Sequence, residues 1–194
     1  MYDLIRDELD TGDILLFSGT GPVSTAIKIG TCSEWSHVGV VVRLKDFDMV
    51  CILQSTTLSK AKDVLSDRPV EGVQINLLSE SLDTYPGKVA VRKLNVLRTE
   101  SMLKAVRNFR KEVHGRPYEE NKIQLLKSAW DFFGGANEED LSSLFCSELV
   151  AELYQRMDLI EDDKPSNEYT PKDFANKLNL NHGATFSDII YLKK

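Results

Sequence analysis

The chain predicts an α+β fold. Strand-like runs crowd its first half, helical periodicity dominates from Glu100 onward, and one last apolar run reads as a closing strand. That order is a small antiparallel sheet, or an open barrel, packed on helices.

Taken in order, Thr11-Gly12 reads as a turn and Asp13 to Phe17 as a buried strand. Ser18 to Pro22 is a glycine-rich turn, and Val23 to Ile29 a short helix that Gly30 should end. After a polar loop holding Trp35, the valine-rich run His37 to Leu44 and the run Met49 to Gln54 read as a hairpin. Ser55 to Gly72 is polar and long enough to suggest a lid or substrate loop. Val73 to Leu77 and Val89 to Leu94 are further strands. Met102, Leu103, Val106, Phe109 and Val113 form one apolar stripe, which predicts a helix over Glu100 to Val113. Helices are also expected over Lys122 to Phe133 and Phe145 to Leu159. Another should run to Leu178 from Thr170-Pro171, an N-cap followed by a proline at the first helical position. Phe186 to Leu192 closes the chain as a strand.

A length of 194 residues fits one domain, 1–194. A net charge of -6, without a concentrated basic surface, argues against nucleic acid. No apolar run approaches the roughly 20 residues of a spanning helix. Met1 to Asp10 is acidic and lacks the apolar stretch of a signal peptide. Three cysteines, an odd count without framework spacing, fit reduced thiols and a cytoplasmic setting.

A cysteine nucleophile needs a favoured thiolate, a base within reach and a group that orients the base. Cys51 lies mid-strand and reads as a buried small residue; Cys32 lies in the polar loop and reads as incidental. Cys146 stands where the apolar helical pattern begins, so it is expected at a helix N-terminus, where the macrodipole would lower its pKa. Among three histidines, His182 sits in a polar turn and His114 follows a helix end, where it caps. His37 opens a strand beside Trp35. With a two-residue Lys45-Asp46 turn, His37 would lie opposite Gln54, which would fix the imidazole tautomer; a longer turn would bring Thr56 opposite instead. No CxxC or HxxxH pair occurs, no phosphate-binding glycine loop, and no Gly-x-Ser-x-Gly, so neither a metal nor a cofactor is expected.

Three segments come in a telling order: Thr11-Gly12-Asp13-Ile14-Leu15-Leu16-Phe17, then Ser36-His37-Val38-Gly39-Val40, then Phe145-Cys146-Ser147-Glu148-Leu149-Val150. Together with Gly115-Arg116-Pro117-Tyr118 and Tyr169 to Phe174, they resemble the circularly permuted NlpC-like, papain-like cysteine hydrolases of the YiiX/YebB type. The lecithin retinol acyltransferase group and a poxvirus homologue are more distant relatives. The resemblance spans roughly the whole chain and implies Cys146 as nucleophile, His37 as base, and Gln54 at the third position, where many relatives carry an acid such as Glu. An amide there orients a neutral imidazole but cannot neutralise an imidazolium.

The expected activity is cleavage of a peptide-like or isopeptide-like amide through a Cys146 acyl-enzyme, with Trp35 and Tyr118 contacting substrate. Two alternatives stay open: a lipid ester hydrolase or acyltransferase on the same fold, and a non-catalytic module that keeps the cleft.

Overall fold

The computed structural model describes residues 1–56, 59–114 and 142–194. The helix expected over Lys122 to Phe133, and Tyr118 before it, lie outside these residues. Six strands form one antiparallel sheet: β1 (Ile14–Gly19), β2 (His37–Leu44), β3 (Met49–Thr56), β4 (Gly72–Leu77), β5 (Gly87–Arg92) and β8 (Ile190–Lys193). Their order is β4-β3-β2-β1-β5-β8, so the sheet is open and does not close into a barrel. A separate pair joins β6 (Leu94–Asn95) to β7 (Thr185–Phe186). Among the described residues the helices are α1 (Tyr2–Ile5), α2 (Pro22–Thr31), α3 (Leu78–Thr84), α4 (Glu100–Val113), α5 (Ser142–Arg156) and α6 (Pro171–Ala175).

Alternation along the strands sorts the core into two layers. Val38, Val40 and Val42 of β2, with Cys51 and Leu53 of β3, face one side and pack with α4 and α5. Val41, Ile52, Leu15 and Phe17 face the other and pack with Leu78 and Leu82 of α3. The apolar stripe of α4 is buried as its period predicts, at Met102, Val106, Phe109 and Val113, and Thr99 caps the helix by accepting from the Met102 N–H at 3.2 Å. Arg156 of α5 pairs with Glu112 of α4 at 2.5 and 3.0 Å, which holds the two helices together at their ends.

Several local expectations change: the Cys146 helix runs Ser142–Arg156, and the expected strands Val89 to Leu94 and Phe186 to Leu192 each split in two. Helix α2 runs past Gly30 to Thr31, because Cys32 takes the left-handed conformation (φ 49°) that ends it. The β2–β3 turn is longer than two residues: Lys45 to Phe47 make one turn of 3-10 helix and Asp48 adopts φ 48°. The register shifts accordingly, pairing Val40 with Leu53 and Leu44 with Met49. Helix α6 stops at Ala175 rather than Leu178, though Thr170 and Asp173 form the capping box at its start.

Candidate active site

His37 begins β2 on the α3 side of the sheet, its ring 5.2 Å from that of its cross-strand partner Phe17. Beside it opens a cavity of about 280 Å³, walled by Phe17, Gln54, Ile27 of α2, and Ser81 and Tyr85 on the α3 side. The shifted register places His37 diagonally from Gln54, not opposite it. The side chains meet nonetheless, His37 Nε2 to Gln54 Oε1 at 2.8 Å.

The hydrogen bonds beyond Gln54 decide which imidazole nitrogen carries the proton. Asn76 of β4, fully buried, points its Nδ2 at the main-chain carbonyls of Ala61 (3.2 Å) and Lys62 (2.9 Å). Carbonyls only accept, so the amide orientation is fixed and Asn76 Oδ1 faces Gln54. Gln54 Nε2 donates to that oxygen at 2.8 Å. Gln54 must therefore present Oε1 to the histidine, and His37 Nε2 must donate. The basic lone pair is left on Nδ1. Gln74 supports the same chain: its Oε1 accepts from Asn76 Nδ2 at 3.0 Å, and its Nε2 donates to the Val70 carbonyl at 2.8 Å. Burial pushes the imidazole down to about 4, against the opposing pull of the Gln54 hydrogen bond, so His37 is neutral at pH 7.

Cys146 comes from the other layer. It is the fifth residue of α5 as described and is wholly buried, in the cluster that contains Val38 and Val40. The β2–β3 ladder ends at Val40–Leu53, so the Val38 N–H has no β3 partner in the register. That N–H and those of Ser147 and Cys146 itself face the sulfur and favour a thiolate. Burial outweighs them and pushes the thiol up to about 12. The lowered pKa expected from the helix N-terminus is thus overturned, because desolvation of a fully enclosed sulfur exceeds the help of a few N–H groups. The cysteine helix is anchored where Ser147 Oγ donates to the Tyr169 carbonyl at 2.6 Å.

Of the five residues singled out in the sequence, His37 and Gln54 are in contact. Cys146 reaches the N–H of Val38, the residue next to His37, and is not part of the cavity lining. Trp35 is 3% exposed in the helix-side core, 5.9 Å from the Tyr191 ring, and does not line the cavity. Cys51 is buried and its thiol pushed up to about 11; Cys32 is exposed. His114 ends α4 and its ring reaches Asp63 at 3.3 Å; His182 pairs with Asp158 at the surface. Asp13 of the Thr11-Gly12-Asp13 segment is structural: it accepts from the Leu94 N–H at 2.9 Å and from Arg98 at 2.7 Å.

Sequence reading missed Asn76, Gln74 and Tyr85. For the two amides a signal existed. Gln74 and Asn76 stand two apart in the run Val73-Gln74-Ile75-Asn76-Leu77, so both must share one strand face, and amides on a buried face need partners.

The model of a family described as permuted papain-like amidases, YaeF/YiiX, C92 family, matches residues 8–177. No curated protein matches the chain. Among solved structures, the crystal structure of the metalloprotein yiiX from Escherichia coli O157:H7 is similar at a TM-score of 0.49 and 21% identity. The match covers 76% of this chain and 66% of that one.

Proposed function

The chain belongs to the permuted papain-like amidase family of the YaeF/YiiX type, and from that premise we propose that it hydrolyses an amide bond with Cys146 as nucleophile and His37 as general base. The observation that carries this reading is the fixed tautomer of His37. Its Nε2–H is held by Gln54 at 2.8 Å, which leaves Nδ1 free to take a proton. The Cys146 sulfur lies against the N–H of the neighbouring Val38.

The resting pair is a neutral thiol and a neutral imidazole, since burial pushes the first up and the second down. Proton transfer then accompanies attack instead of preceding it. Sγ bonds to the amide carbon as His37 Nδ1 takes the thiol proton. The carbon–nitrogen bond breaks and Nδ1 returns that proton to the leaving amine. Water, deprotonated by Nδ1, cleaves the thioester; the carboxylic acid departs and the thiol is regenerated. Gln54 keeps the ring in the productive tautomer throughout. The cavity beside His37 would receive the group on one side of the scissile bond, and a peptide-like substrate is the form proposed.

A second reading, a non-catalytic module, is favoured by the absence of Cys146 from the cavity lining. The test is a panel of peptide amides and isopeptides, with amine release followed and Cys146 searched for a thioester by mass spectrometry. Release dependent on Cys146, with a trapped thioester, supports the hydrolase. No release and no adduct across the panel supports the module.

We also propose a single domain, 1–194, that does not engage nucleic acid and works in a cytoplasmic setting. Among the described residues no helix is long and apolar enough to cross a membrane.

A further inference from the structure

We propose that the groove beyond Tyr85 and Pro86 is a subsite for an anionic part of the substrate, a carboxylate or phosphate; this rests on the amidase reading. The groove, of about 560 Å³, is lined by the side chains of Lys28, Lys88, Lys193 and Lys194, against one side-chain carboxylate, Glu34. Four cations around one groove are unexpected on a chain of net charge -6. Lys45, Lys62 and Lys93 are paired with Asp10, Asp67 and Glu8, while among the described residues other exposed lysines such as Lys104 and Lys177 are not. The groove is therefore set apart by the gathering of four cations and not by their lack of ion pairs. Among the described residues none of the four groove lysines has a carboxylate within ion-pair distance. Two of them are half-buried and bonded only to neutral carbonyls: Lys28 Nζ to Gly19 at 2.8 Å, and Lys193 Nζ to Leu82 and Tyr85 at 2.7 and 2.8 Å. A carbonyl orients an ammonium without cancelling its charge, so the groove keeps a net positive field. Glu34 is partly occupied, accepting from Tyr191 Oη at 3.2 Å.

The groove adjoins the catalytic cavity. Gly19, Thr20, Tyr85 and Pro86 line both, and the ridge they make is tied by Thr20 Oγ1 donating to the Pro86 carbonyl at 2.9 Å. A substrate with its scissile amide at His37 therefore has a short path over the ridge to the lysines. Lysine is a point charge without the fork that reads a planar carboxylate, so charge is recognised here and not shape. Such binding is felt equally in the ground and transition states, and it acts on KM.

The experiment has two arms. Calorimetry on the Cys146→Ala protein compares N-acetylglutamate, N-acetylglutamine and N-acetyl-O-phosphoserine. Kinetics on the intact protein compare amide substrates that differ only in a remote carboxylate or carboxamide. The anionic partner should bind, and lower KM, by roughly tenfold over the neutral one at low salt, since exposed charge pairs contribute about two- to fivefold each. Lys88→Gln and Lys194→Gln, both on exposed side chains, should together bring that preference close to one, as should about 0.5 M salt. The phosphate probe, against the carboxylate, tells which anion is preferred. An acid and its amide binding alike, in the unaltered and the lysine-substituted proteins, would overturn the subsite. Anion-selective binding that is lost in the lysine variants, with no amide turned over, would keep the subsite and sink the amidase reading.

Discussion

The two faces of the sheet are built on opposite rules. The helix face carries Val38, Val40 and Val42 and holds the thiol in an apolar cluster, where backbone N–H groups face the sulfur. The α3 face interrupts its apolar residues with Gln54, Gln74 and Asn76, all buried and all hydrogen-bonded. The first face disfavours charge on the Cys146 thiol; the second orients the His37 imidazole down to the nitrogen that carries the proton. On the proposed mechanism, activation would be a matter of proton placement on one face, not of a pre-ionised sulfur on the other.

The largest effect should come from the helix face. Cys146→Ala is expected to abolish amide cleavage, a loss of about 10⁴-fold or more in kcat, while the melting temperature changes little because Ala fills most of the same volume. Retained turnover by a purified variant would remove Cys146 from the chemistry. His37→Ala comes next, with a loss on the order of 10³-fold from removing a general base. Asn76→Ala touches neither reacting group. It leaves Gln54 Nε2 without its acceptor, so the Gln54 amide is free to turn and force the proton on to His37 Nδ1. A fall in kcat of roughly 10- to 100-fold should follow, as expected for an unpaired buried amide and a wrong tautomer. Nitrogen NMR of the imidazole reads that tautomer directly. An unchanged Nε2–H signal would mean the chain of amides does not set it.

The buried imidazole also makes stability depend on pH. His37 is pushed down to about 4 in the folded protein, from about 6.5 unfolded. Between these values the unfolded chain binds a proton that the native one refuses, so stability falls as pH drops through that window. The loss is at most about 3 kcal/mol, and less to the degree that the cavity admits water. Denaturant titrations from pH 7 to 4 should show it, and His37→Gln should flatten the curve. The smallest effect is a rate order: iodoacetamide should label the exposed Cys32 well before the buried Cys146. Fast labelling of Cys146 at pH 7 would show that its sulfur is neither enclosed nor held as a thiol.

How far the sequence could be read depended on whether the deciding physics was local. The valine run of β2 and the stripe of α4 set their elements by period alone, and both came out at the expected bounds, His37–Leu44 and Glu100–Val113. Helix α3 was missed because Leu78-Ser79-Glu80-Ser81-Leu82-Asp83-Thr84 is too short to display a period and has no side-chain cap. The His37–Gln54 contact was legible, and the register was legible only as the longer-turn alternative, which the strands adopt. A 3-10 turn adds two residues, and a long amide reaches across the diagonal. The family order of histidine before cysteine carried the assignment of roles. The thiol's burial could not be read from it, since burial depends on what α5 packs against, and that is tertiary.

Gln54, Asn76, Gln74 and the main-chain carbonyls they reach carry no net charge, so nothing among them titrates and no ion atmosphere gathers around them. The catalytic step should then show a single ionisation on its acid limb and a turnover number indifferent to ionic strength. The lysine groove would respond in the opposite way, weakening substrate capture as salt is added. An environment that changes its salt would retune how much substrate the protein collects, while leaving the rate at which captured substrate reacts unaltered.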